Sequence, residues 1–162
     1  MKIGINSRIY QEKNGGIQNY IKNLYKNVIR IPNNDYLFFQ TNDHKKLGQT
    51  DYLKLPQNSL FAILFDNFLV SWLDFKHKPD VFHAGANVLP IIRRKKCKYI
   101  VTIYDIAPIV NRHYFVSRLF NQYLVSRLYN QYFKWSTKRS ARSADLIVTI
   151  SKNTKNDLIK YF

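Results

Sequence analysis

A single cysteine, Cys97, stands in 162 residues, which excludes both an internal disulfide and a cysteine-rich zinc site. Acidic side chains are scarce: 10 Asp and Glu face 26 Lys and Arg, a net charge of +16. Long apolar runs are missing too. The greasiest stretch, Leu60 to Leu73, falls short of the roughly 20 apolar residues a membrane-spanning helix needs, and it carries Asp66. Met1 to Arg8 contains no signal-peptide core, so a soluble chain, or one lying on a membrane surface, is expected. There is no Gly-Lys-Ser/Thr P-loop, no G-x-G-x-x-G fingerprint and no G-x-S-x-G nucleophile turn. His44, His77 and His113 have no partner at metal-ligand spacing, and no metal or cofactor is expected.

What is present suits one folded domain over residues 1–162. The length is close to the typical domain of about 150 residues. With 46% hydrophobic and 22% charged residues, a single core can form and disorder is not expected. The basic excess is uneven: residues 1–92 carry a net of +4 and residues 93–162 a net of +12. The second half is therefore the electrostatic face. Its natural partners are polyanions: phosphorylated ligands, anionic lipid headgroups or nucleic acid.

Strand-like segments alternate with helical ones. Lys2 to Asn6, Tyr36 to Gln40, Tyr52 to Leu55, Asp80 to Ala84, Tyr99 to Ile103 and Asp145 to Ile150 read as strands. Ile17, Tyr20, Ile21, Leu24, Tyr25 and Val28 recur at helical spacing after Gly15-Gly16, and Pro32 closes that segment. Ser59 can cap a helix over Leu60 to Phe75 that is apolar on nearly every side, so burial all round is expected, with Pro79 ending it. A long helix is expected over about Val116 to Arg142, and Ser151 caps a last one. Strands apolar on both faces predict an α/β fold, a Rossmann-like parallel sheet with helices on both faces.

One internal repeat stands out. Val116-Ser-Arg-Leu-Phe-Asn-Gln-Tyr-Leu124 is followed at once by Val125-Ser-Arg-Leu-Tyr-Asn-Gln-Tyr-Phe133. A shift of nine residues is about two and a half turns, so the copies point in opposite directions. In the second copy Val125, Leu128, Tyr129 and Tyr132 share one side, while Arg127, Lys134, Lys138 and Arg142 line the other. Either a bend near Leu124 turns both copies to the core, or an apolar patch beside a basic stripe rests on an anionic bilayer. If the stripe is the contact, removing those four charges abolishes vesicle binding.

Few residues invite chemistry. Gly15-Gly16, between the first strand and first helix, would let a backbone approach a ligand whose phosphate faces the helix N-terminus; a plain tight turn is the alternative. His83 and Asp105 each end a strand where open α/β sheets place ligands. The imidazole could bind a hydroxyl or move a proton, or simply bond a neighbouring loop. The Asp105 carboxylate could bind sugar hydroxyls, or cap the loop leading to Pro108.

Four segments together resemble family 4 glycosyltransferases, especially mannosyltransferase-like members. They are Lys2-Ile-Gly-Ile-Asn-Ser-Arg8 with Gly15-Gly-Ile-Gln-Asn-Tyr20; Asp80-Val-Phe-His-Ala84 with Leu89-Pro90; Val101-Thr-Ile-Tyr-Asp-Ile106; and Ile147-Val-Thr-Ile-Ser-Lys-Asn-Thr-Lys-Asn-Asp-Leu158. The resemblance implies one half of a GT-B fold, the acceptor-binding N-terminal domain, ending before the donor-binding domain. It implies that Gly15 and Gly16 approach the donor diphosphate while His83, Tyr104 and Asp105 line the cleft. Family members often carry histidine where Tyr104 stands, and a phenol titrating near 10 does not replace imidazole as a base.

The implied reaction is transfer of a hexose from a nucleotide sugar to a lipid-linked or polysaccharide acceptor at the cytoplasmic membrane face. A lone acceptor half is expected to be inactive until a donor-domain partner completes it. The alternative is a non-catalytic basic module holding anionic lipid or nucleic acid through Arg93 to Lys96, Lys98 and the Arg127–Arg142 stripe. Nucleic acid ranks behind lipid, because no helix-turn-helix, RRM, KH or zinc-finger signature is present.

Overall fold

Strands apolar on both sides are satisfied only between two covering layers. The computed structural model describes residues 1–8, 15–40, 49–52, 59–110 and 120–162, with backbone alone for 40, 49–52, 59–60, 108 and 120–126. Its strands are β1 (Lys2–Asn6), β2 (Asp35–Gln40), β3 (Gln49–Tyr52), β4 (Val81–Ala84), β5 (Lys98–Ile103) and β6 (Leu146–Thr149). They form one six-stranded sheet in the order β3-β2-β1-β4-β5-β6, and every neighbouring pair runs parallel. The chain leaves β1 outward to β2 and β3, then returns to lay β4 on the other side of β1. That reversal opens a crevice at the C-terminal ends of β1 and β4, where open α/β sheets hold ligands.

Side-chain alternation divides the core into two layers. On one face Ile5 and Phe38 pack with Ile21 and Tyr25 of helix α1 (Gly16–Val28). On the other, Phe39, Phe82, Val101 and Ile103 pack against Phe65, Val70 and Leu73 of a long helical stretch, and against Leu158 of the last helix. That stretch consists of α2 (Ser59–Leu64), a π-helical turn (Phe65–Leu69) and α3 (Val70–His77). A one-turn helix α4 (Ala107–Val110), then α5 (Phe120–Ser143) and α6 (Lys152–Tyr161), complete the order. Strand starts are pinned by aspartates: Asp80 accepts from the Lys2 amide at 2.8 Å and Asp145 from the Tyr99 amide at 2.9 Å.

The differences from the sequence reading are local. The third strand lies at Gln49–Tyr52, several residues earlier than expected, because pairing with β2 sets its register; residues 53–55 lie outside the described set. The α2–α3 stretch is not buried all round. Phe68, Trp72 and Phe75 are about half exposed, since only one side of the helix meets the sheet. On α5, Leu128 and Tyr129 are exposed rather than facing the core, and among the described side chains the fully buried positions are Ser136, Thr137 and Ser140. Small side chains let this helix approach closely. The Ser140 hydroxyl donates to the Ser136 carbonyl at 2.7 Å and accepts from the Leu89 amide at 2.8 Å. The helix runs unbroken from Phe120 to Ser143 through Leu124, while the side chains of the first repeat copy lie outside the described residues.

α3 ends at His77, two residues before Pro79, with Lys78 in the left-handed region at φ 51° and its amide donating to the Asp74 carbonyl. A side chain there costs about 1 kcal/mol relative to glycine. Lys78→Gly is therefore expected to raise stability by about that amount, readable as a higher thermal midpoint. Ser151 caps α6 as the sequence indicates, accepting from the Thr154 amide at 3.1 Å.

Candidate functional site at the C-terminal edge of the sheet

Because all strands run parallel, the residues that end β1, β4 and β5 meet on one edge. Gly15 and Gly16 open α1 beside it. Their backbone is ordinary: Gly15 is extended at φ −160°, and among the described residues no atom lies within 4 Å of a Cβ built on either glycine. Gly85 differs, since a Cβ there would meet the Tyr25 hydroxyl at 2.7 Å. Packing among the described residues thus calls for Gly85 but not for Gly15 or Gly16, although glycine weakens a helix start. Their exposed N–H groups, with the positive end of a 13-residue helix, suit an anion.

His83 points into the layer between sheet and α1. Its Nε2 lies 2.9 Å from the Thr102 hydroxyl and its Nδ1 3.3 Å from the Tyr25 hydroxyl. Burial lowers its pKa from 6.5 to about 4, so the ring is neutral at physiological pH. Both nitrogens are engaged by neighbours inside the fold, and the imidazole supports the edge from beneath. Tyr104 is buried beside it, donating to the Gly85 carbonyl at 2.7 Å and meeting Tyr20 edge-on at 5.6 Å. Burial raises its phenol pKa, so it stays protonated and holds the loop after β4 in place. Asp105 is exposed at the end of β5, and its Oδ1 accepts from the Ala107 amide at 3.3 Å, capping α4. Gly16, His83 and Asp105 therefore share one end of the molecule, with Asp105 at its surface and His83 beneath.

A polar network at the same edge escaped the sequence reading. Asp66, in the π-helical turn, accepts from the Asn6 amide group at 2.8 Å and from Arg8 Nε and Nη2 at 3.2 and 2.9 Å. The neighbouring Asn67 donates to the Tyr132 hydroxyl at 2.7 Å and accepts from Arg139 at 3.1 Å. Arg139 also donates to the Leu89 and Pro90 carbonyls, tying α5 to the loop after β4. π-turns are frequent at functional sites because the extra residue re-aims neighbouring side chains. The signal available in sequence was two adjacent polar residues inside an otherwise apolar helix.

Arg127, Lys134 and Arg142 project from α5 into solvent, and Lys138 is half-buried. A second polar cluster lies at the opposite, N-terminal edge: the Tyr99 hydroxyl donates to buried Asp74 at 2.5 Å, and Arg94 Nη1 lies 3.7 Å from the other carboxylate oxygen. Cys97 is buried beside it, its thiol pushed up to about 12 by burial and the Asp74 charge, and is inert. Among the described residues no group of three His, Cys, Asp or Glu side chains could hold a metal, and no helix is long and apolar enough to cross a membrane.

A relative in Mycoplasma mobile (strain ATCC 43663 / 163K / NCTC 11711), named glycogen synthase, is 26% identical over 141 residues. The matched stretch is 76% of this chain and 29% of that protein, so the chain spans less than a third of its relative's length. The family described as Glycosyltransferase Family 4 matches residues 14–162, which include α1, the whole crevice from β4 onward and α6. On that match the chain belongs to glycosyltransferase family 4.

Proposed function

We propose that the chain is the acceptor-binding, N-terminal half of a nucleotide-sugar glycosyltransferase, mannosyltransferase-like, that moves a hexose onto a lipid-linked or polysaccharide acceptor. The observation that carries this reading is the Gly15-Gly16 pair. Among the described residues neither glycine is required by backbone conformation or by packing. Close approach of something outside the chain gives them a physical reason, and a diphosphate fits the exposed N–H groups. In the reaction the bond from the sugar's anomeric carbon to the diphosphate breaks and a bond to an acceptor hydroxyl oxygen forms. The nucleoside diphosphate leaves with the electron pair, and the hydroxyl proton passes to a base.

Within this reading the Gly15 and Gly16 amides meet charge on the leaving diphosphate. Asp105, the exposed carboxylate at the edge, binds an acceptor hydroxyl. His83 and Tyr104 hold the surrounding loops in register and touch no substrate. A partner region carrying the donor site closes the crevice, and without it water floods the edge and the nucleotide sugar is not positioned. Such an enzyme works at the cytoplasmic face, where a lipid-linked acceptor is within reach.

The test is nucleotide release with a lipid or glycan acceptor, measured for the chain alone and after adding a family 4 donor domain. The chain alone is expected to be silent and the pair active. Gly16→Ala is expected to leave the melting temperature unchanged or raised, since alanine favours a helix. In the active pair the same change should raise the donor KM at least about tenfold, a loss of the size expected for an interaction with a charged group. Transfer by the chain alone, or unchanged kinetics in Gly16→Ala, would refute the reading.

A further inference from the structure

The helix that the sequence marks for full burial leaves an apolar stripe in solvent. Leu64, Phe68, Trp72 and Phe75 are spaced four, four and three residues apart, which places them on one helical face. Phe68, Trp72 and Phe75 are 50%, 52% and 47% exposed, far more than a solvated surface requires of three large aromatic residues in a line. Ile91 and Ile92 extend the patch: the Ile91 amide donates to the Asn67 carbonyl, which holds this loop against the same helix, and Ile92 is 55% exposed.

Basic side chains rim the stripe. Phe75 and Lys78 share an open surface groove with Arg93, Arg94, Lys95 and Lys96, so the basic tract sits against the aromatic end of the stripe. Lys76 lies over the Trp72 ring at 5.1 Å. From Phe75 to Lys98 the sequence has seven basic residues and one acidic residue, Asp80, whose carboxylate is engaged by the Lys2 amide. An apolar ridge flanked by cations of one sign is what an interfacial helix offers to anionic headgroups and the acyl chains beneath them. Nucleic acid would satisfy the cations but leave Ile91, Ile92 and the aliphatic end of the ridge against charged phosphate and water.

We propose that the outer face of α2 and α3, with the 91–96 loop, docks on an anionic lipid bilayer, inserting Phe68, Trp72, Phe75 and Ile92 while Lys95 and Lys96 meet the headgroups. The surface is distinct from the basic stripe of α5, and the inference does not depend on the sugar chemistry. The stripe starts at Leu64, two residues from Asp66, so a docked chain presents the C-terminal edge of its sheet close to the bilayer.

The chain has two tryptophans, Trp72 and Trp135, and Trp135→Phe leaves Trp72 as the only reporter. With vesicles of phosphatidylglycerol and phosphatidylcholine, Trp72 emission is expected to shift to the blue and to resist iodide quenching; phosphatidylcholine vesicles are expected to do neither. Co-sedimentation of the unaltered chain checks the same binding without the tryptophan change. Lys95→Gln with Lys96→Gln is expected to lower partitioning about thirtyfold, and Phe68→Ser with Phe75→Ser at least about tenfold. All four side chains are at the surface, and circular dichroism confirms that the variants fold. Four results would overturn the proposal: unchanged Trp72 emission with sedimentation equal on neutral vesicles; loss of binding in the Arg127, Lys134, Lys138 and Arg142→Gln variant but not in the Lys95/Lys96 variant; burial of Trp72 by duplex DNA instead of lipid; or a dimer by light scattering in which Trp72 is already shielded.

Discussion

Asp66→Ala is expected to lower the unfolding free energy by about 1–3 kcal/mol, the range for leaving a buried polar group without its partner. Asp66 is 6% exposed and its side chain holds two elements together, the π-helical turn and the end of β1. Alanine would leave the buried Asn6 amide group without the acceptor it uses here and would remove the Asp66 contacts of the Arg8 guanidinium. Because β1 lies at the centre of the sheet between β2 and β4, loosening its end also loosens the crevice. Urea unfolding of the two proteins measures the difference. Asp66→Asn separates charge from packing, since its carbonyl can still accept from Asn6 but no longer neutralises Arg8. An Asp66→Ala midpoint within experimental error of the unaltered chain would show that Arg8 and Asn6 find other partners.

Acid is expected to weaken the fold through His83, by about 3 kcal/mol in all. The folded imidazole protonates at about 4 and the unfolded one near 6.5. Between those values the unfolded chain binds a proton that the folded chain refuses, so stability falls as pH drops through that window. Above 6.5 the contribution is intact, and below about 4 both states are charged and the loss is complete. The cause is structural: a charged ring would sit between Tyr25 and Thr102 in the apolar layer under α1. His83→Gln keeps a polar group there and removes the titration, so the difference between the two stability–pH curves should flatten above pH 6.5 and diverge below it. Parallel curves from pH 7 to 4 would mean that His83 takes its proton without leaving the folded layer.

The two sites also show where the sequence was and was not legible. The strands were readable because β-branched and aromatic runs such as Tyr99 to Ile103 satisfy two apolar faces only in a covered parallel sheet. Gly15, Gly16, His83 and Asp105 were readable as strand-end or helix-start residues, and parallel topology then brings them to one edge. Their roles stayed open between holding a ligand and supporting the fold. The capping bond of Asp105, two residues long, was one of the readings the sequence offered, whereas the two hydrogen bonds of His83 and the Tyr104 lock on Gly85 depend on groups 19 to 58 residues away. Asp66 and Asn67 were visible only as polar interruptions, because their partners Asn6, Arg8, Tyr132 and Arg139 lie on other elements.

Side-chain pattern along one element fixes its type and the face that is apolar, since both follow from local backbone period. It therefore determined the α/β class, the order of elements apart from the one-turn α4 and the π-helical turn, and the excess of positive charge over residues 93–162. Which apolar face is covered depends on which neighbour arrives, and that is a property of the assembled sheet. Hence only the tertiary structure decided that Trp72 and Phe75 stay in water, that α5 turns small hydroxyl residues rather than Leu128 and Tyr129 inward, and that, among the described residues, Gly85 is required by its neighbours while Gly15 and Gly16 are not.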